Sequence, residues 1–157
     1  MKTYEVSSSV SEDIRVEALY CRAKAYIALN QWSKAQPDLK QLAGEVRTVQ
    51  GAEAKYLLAQ SYFEEGLLDQ SEAEVMEFTQ MNTQQQYWLA RALILLSDIN
   101  LKRGELFQAR QYLLVLQENY TASGDDIPTI IAARLQTLDT LENPDPIQQT
   151  ETEEEEE

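Results

Sequence analysis

The sequence predicts an all-α protein, a helix-turn-helix repeat solenoid of about three helix pairs followed by a C-terminal capping helix. Two observations carry that reading. Only 5 Gly and 4 Pro occur in 157 residues while Ala, Leu, Gln and Glu recur throughout, which is the vocabulary of helices and leaves few turn signals for a sheet. Three segments also align with one another: from Ala23 to Ala59 is 36 residues and from Ala59 to Ser97 is 38, close to the period of about 34 of paired-helix repeats. With 43% hydrophobic residues the chain can fill the core of one domain.

The three units run over about 16–49, 52–83 and 84–120. Each places a small residue in its first helix (Ala23, Ala59, Ser97) and another early in its second (Ala35, Ser71, Ala109), where two antiparallel helices can approach closely. Between them, Asn30, Gly66 and Gly104 hold the point where the first helix ends, which calls for a residue tolerant of left-handed backbone geometry. Trp32, Leu68 and Leu106 follow two residues later, placed to pack over the turn. The second helices then show Leu39 and Leu42, Val75 and Phe78, Leu113 and Leu116 at the i, i+3 spacing of an amphipathic stripe. Gln84–Gln86 reads as a polar helix start.

Asp126 near an N-cap, with Pro128 in the first turn, opens a further helix over 127–142. Its Ile131, Leu135, Leu138 and Leu141 form one stripe, while Arg134, Gln136, Asp139 and Thr140 face away, as a terminal cap requires. Residues 1–13 read as a flexible N-terminal segment that offers no equivalent cap. The open side of the first pair is therefore covered either by preceding repeats of a longer protein or by self-association. Residues 144–157, with six carboxylates in the last seven positions, read as a disordered acidic tail.

These features resemble the tetratricopeptide repeat over Val16 to about Tyr120. The bulky residue that the family carries at the fourth position of each unit is Leu19 in the first and Leu93 in the third, but Lys55 in the second, and the proline that often closes a repeat is absent. Residues 51–66 (GAEAKYLLAQSYFEEG) and 86–120 (QYWLARALILLSDINLKRGELFQARQYLLVLQENY) are similar to the C-terminal repeats of large tetratricopeptide proteins of Bacteroides-type bacteria. That resemblance implies a cell-envelope or assembly scaffold, a chain that is part of a longer protein, and no enzymatic activity.

Composition excludes other classes. A net charge of -14 repels phosphate backbones and anionic lipid surfaces, so nucleic acid is a poor partner. No stretch reaches the roughly 18 apolar residues of a membrane span, so no direct membrane insertion is expected. With no His, zinc sites and Ser-His-Asp catalysis lose their commonest group, and the five glycines form no phosphate loop. Neighbouring acids such as Glu64–Glu65 diverge by about 100° on a helix and cannot flank a bond. Cys21, the only cysteine, reads as a small buried or half-buried hydrophobe. No cofactor, metal or catalytic set is expected.

The resemblance implies a concave face lined by the first helix of each pair. In that register the inward residues are Tyr20, Lys24 and Ile27, then Glu53, Tyr56, Gln60 and Phe63, and then Arg91, Ile94, Asp98 and Lys102. Aromatics beside Lys and Arg are the residue types that anchor peptides, although Tyr56, Phe63 and Ile94 equally suit a stacking core. The family's clamp for chaperone tails would need Lys, Asn and Arg where this chain has Tyr20, Lys24, Leu57, Arg91 and Leu95, so that ligand is not expected. The reading that results is a protein or peptide interaction module, with a purely structural segment of a longer scaffold as the alternative.

Overall fold

The computed structural model describes residues 2–144, with side chains from Ser9 onward. Among them are seven helices and no strand: α1 (Lys2–Ala28), α2 (Trp32–Leu42), α3 (Val49–Glu64), α4 (Leu68–Gln80), α5 (Gln86–Lys102), α6 (Leu106–Asn119) and α7 (Ile127–Glu142). Consecutive helices pack as the pairs α1–α2, α3–α4 and α5–α6, each pair packs on the next, and α7 closes the series. The predicted helical-repeat solenoid is therefore the architecture. The acidic tail expected over 144–157 lies, beyond Pro144, outside the described residues.

Each pair closes in the same way. Asn30, Gly66 and Gly104 have φ of 57°, 76° and 77°. The next residue's amide then reaches back to a carbonyl five residues earlier, Gln31 to Tyr26 at 2.8 Å, Leu67 to Tyr62 at 2.9 Å and Glu105 to Asn100 at 2.9 Å. That bond satisfies a carbonyl the helix end leaves open and turns the chain sharply. The six small residues assigned to the crossings are all buried, none more than 3% exposed. At two crossings a hydroxyl joins the helices: Ser71 Oγ donates to the Ala59 carbonyl at 2.7 Å, and Ser97 Oγ to the Ala109 carbonyl at 2.9 Å.

One core runs from α1 to α5 and a second from α5 to α7, with α5 contributing Ala92, Leu95, Leu96 and Ile99 to the first and Ala90 and Ile94 to the second. The loops between repeats are tied together. Thr83 Oγ1 donates to the Val46 carbonyl at 2.6 Å and accepts from the Gln85 amide at 3.0 Å, while Gln85 Nε2 donates to the Arg47 carbonyl at 3.0 Å. Lys55, which breaks the repeat pattern, is 4% exposed and pairs with Glu74 at 2.6 Å and Glu77 at 3.0 Å on α4. Its aliphatic stem fills the place of the bulky residue and its ammonium reaches the next helix.

Four expectations are corrected. Residues 2–13, expected as a separate segment, lie within α1, where no Gly or Pro interrupts residues 2–28. Cys21 is exposed, with its thiol 3.5 Å from Glu17 Oε1, since α1 turns that face away from α2. On α7 the stripe ends at Leu138, and Leu141 is 52% exposed. Arg134 and Asp139 do not face away: Arg134 binds Asp98 and Asp139 binds Arg110 at 2.8 Å.

Of the five glycines, Gly51 alone has other atoms close to where a Cβ would sit. A Cβ there would lie 1.8 Å from the Glu45 carbonyl oxygen, whereas one at Gly44 would meet nothing within 4 Å. Gly51→Ala is expected to cost about 1–3 kcal/mol by overpacking, and Gly44→Ala to stay within about 0.5 kcal/mol. Urea unfolding of the two variants measures the difference, and equal midpoints would show that the Glu45 turn yields freely.

Candidate functional site

The first helices α1, α3 and α5, with α7 in the corresponding place, line a groove of about 630 Å³. The first helices face it because each second helix is taken up by its own pair and by the next repeat. Eight of the eleven residues assigned to the concave face line it: Lys24, Glu53, Tyr56 and Gln60 on one stretch, Phe63, Arg91, Ile94 and Asp98 on the next. The other three stand beside it. Tyr20 donates its hydroxyl proton to Glu53 Oε2 at 2.6 Å, Ile27 is half-buried against the N-terminal core, and Lys102 lies over the Phe63 ring at 6.0 Å in an adjoining depression.

Most of the groove's charges are held by their neighbours. Glu53, 5% exposed, accepts from Tyr20 and from Lys24 Nζ, the latter at 2.6 Å. Arg134 of α7 grips Asp98 of α5 with two bonds, 2.8 Å and 3.2 Å. Burial, followed by the bond to Glu53, pushes the Tyr20 phenol up from 10.0 to about 12.

The groove's centre is aromatic. Tyr56 stacks on Trp88 with ring centres 5.7 Å apart, and Trp88 meets Tyr87 edge-on at 4.9 Å. Arg91 sits against both tyrosines, donating to the Tyr87 hydroxyl at 3.1 Å and the Tyr56 hydroxyl at 3.3 Å. Its guanidinium carbon lies 5.3 Å from the Tyr56 ring centre. Tyr56 passes its own proton to Gln60 Oε1 at 3.1 Å, and Gln60 donates to Glu64 at 2.8 Å, so a directed chain runs from Arg91 to Glu64.

No known protein family matches the chain, and no curated protein or solved structure matches it. The geometry therefore stands alone. Tyr56 belongs both to the N-terminal core and to the groove wall, and Ile94 is 3% exposed within the C-terminal core. Sequence reasoning missed Trp88, Trp32, Ile130 and Arg134. Trp88 stands three residues before Arg91 on the same helix face, so extending the register back one turn finds it. Arg134 was hidden because α7 was treated as a cap and not as a fourth first-helix.

Asp126 holds the N-cap position of α7, but the capping bond comes from Asp125, whose Oδ1 accepts from the Ile127 amide at 3.0 Å. Tyr120 donates to the other oxygen of Asp125 and is pushed up to about 12, mainly by burial. Asp126 is thereby left facing Arg91 at 3.8 Å. Among the described residues no group of three or more His, Cys, Asp or Glu side chains is placed to hold a metal, and no helix is long and apolar enough to cross a membrane.

Raised phenol values set the alkaline behaviour. A proton held more tightly in the folded state stabilises fully below the unfolded value, about 10, and that stabilisation is lost as pH rises through about 12. Stability is therefore expected to fall between about pH 10 and 12, more steeply in the unmodified chain than in a Tyr20→Phe, Tyr120→Phe double variant. Chemical unfolding across that range, alongside phenolate absorbance, measures it.

Proposed function

We propose that the chain is a protein-binding module of tetratricopeptide type, whose concave groove holds an extended or helical segment of another protein. The observation that carries this reading is the groove itself: about 630 Å³, open, and lined by Tyr56, Trp88 and Phe63 together with Arg91. Aromatic side chains and Arg are the groups that most often anchor protein interfaces. The reading is non-catalytic, since Glu53 and Asp98 are each bonded to a cation or a phenol that fixes their role.

A photo-crosslinking residue at Gln60, in the groove, is expected to capture a partner that the same residue at Gln111 on α6 does not. Binding of that partner should weaken by about 2 kcal/mol, roughly thirtyfold, in Trp88→Ala and remain unchanged in Phe107→Ala. Capture from Gln111 alone would sink the groove reading.

A second reading, a structural segment of a longer scaffold, is favoured by one observation. The outward face of α1 leaves Val10 and Ile14 exposed at 51% and 65%. Light scattering behind size-exclusion chromatography separates the two. The groove reading expects a monomer at all concentrations, and the structural reading expects concentration-dependent association that Ile14→Lys abolishes.

A further inference from the structure

The groove's charges are balanced unevenly. Six of the seven arginines each reach a carboxylate at 2.6–3.4 Å. Among the described residues Arg91 does not: its nearest carboxylate, Asp126, is 3.8 Å away, and both of its hydrogen bonds go to neutral phenol oxygens. A guanidinium has five N–H donors, so three of those on Arg91 make no hydrogen bond among the described residues. Its position is nonetheless fixed, with the Tyr56 and Tyr87 rings 5.3 Å and 6.0 Å from its central carbon.

We propose that Arg91 is the anion-reading point of the groove, taking the side-chain carboxylate of an aspartate or glutamate that stands beside an aromatic residue in the bound segment. The inference rests on the groove reading and adds the ligand's chemistry to it. The neighbouring aromatic would lie on the Tyr56–Trp88 stack, which adjoins the guanidinium. An internal side chain is the source because the groove continues past Arg91 in both directions, to Lys24 and Trp32 on one side and to Ile130 and Arg134 on the other, so a segment can run through it. The phenol oxygens prepay the ordering of the arginine, and a fixed, partly desolvated guanidinium favours the planar, two-bond geometry of a carboxylate. Lys24 and Arg134 cannot serve in its place, since Glu53 and Asp98 already occupy them.

The test is nuclear magnetic resonance titration of the full chain with three N-acetylated dipeptides: acetyl-Asp-Phe-amide, acetyl-Asn-Phe-amide and acetyl-Asn-Phe with a free C-terminus. The aspartate peptide is expected to shift the Arg91 side-chain and Trp88 indole signals with about tenfold or greater preference over the asparagine amide, and Arg91→Gln should abolish that preference. Equal shifts from the two amides would overturn the anion site while leaving the groove as a binding surface. A free-terminus peptide matching the aspartate one would overturn the side-chain assignment in favour of a chain end. Silence of the Arg91 and Trp88 signals toward all three up to about 10 mM would overturn the site, and the groove reading would then stand or fall on its own crosslinks.

Discussion

Every helix pair buries a small residue in each of its two helices, and the rest of the architecture depends on how near the backbones come there. Ala23 and Ala35, Ala59 and Ser71, and Ser97 and Ala109 are so fully enclosed that a branched residue would have to displace its neighbours. The serines show how close the approach is. A hydroxyl one bond from Cβ reaches a carbonyl of the facing helix, in one pair from the second helix and in the next from the first. A buried hydroxyl without such a partner would cost about 1–3 kcal/mol, so each serine is tolerated only because the neighbouring backbone comes within reach. A leucine at any of the six positions would instead force the helices apart and misplace the turn that sets the next pair.

From that close approach follows the placement of the groove. Close pairs leave each second helix covered on the side of its partner and on the side of the following repeat. The first helices then share one free side, and α7 joins them. Helix α5 is the element on which both halves depend, since its opposite faces enter separate cores while a third face carries Arg91 and Asp98 into the groove. Ion pairs add register to this packing. Lys55 is held by α4, Arg103 reaches back to Asp69 and Glu72 at 2.6 Å each, and Arg110 holds the end of α7. The Arg103 and Arg110 pairs are partly exposed and contribute little individually, whereas Lys55 is buried, and losing its partners would strand a charge.

The fold was legible because its signals are short-range and repeated. Small residue, turn residue and apolar stripe recur at fixed offsets, and each has a steric reason that does not depend on the rest of the chain. The site was legible only along the helices that the repeat register covered. Tyr56, Gln60, Phe63 and Arg91 were found by carrying one spacing from unit to unit, but Arg134 was assigned outward because a terminal cap needs a polar outer face. What orients Arg134 is Asp98, 36 positions earlier, and no local pattern contains that distance. The N-terminal extension of α1 was misread for a related reason. A serine-rich, mixed-charge stretch looks like a flexible lead, yet a helix that is already nucleated by packing extends until something stops it.

On the proposed binding reading, a chain of net charge -14 would be expected to recognise a partner through charge, and the groove argues otherwise. Lys24 with Glu53 and Arg134 with Asp98 each join two different helices, so their attraction is spent on fixing the spacing of those helices. A ligand could use them only by breaking a bond that shapes its own site. What remains for recognition is the surface between them, the Tyr56–Trp88 stack and Phe63, together with the one guanidinium that neutral oxygens hold. Binding of the proposed kind would draw most of its free energy from aromatic burial, which ionic strength hardly alters, and take its selectivity from a single charged contact. The acidic surroundings would then act mainly on the rate of approach, slowing acidic segments at a distance, while the proposed selecting contact would operate only once the segment is seated.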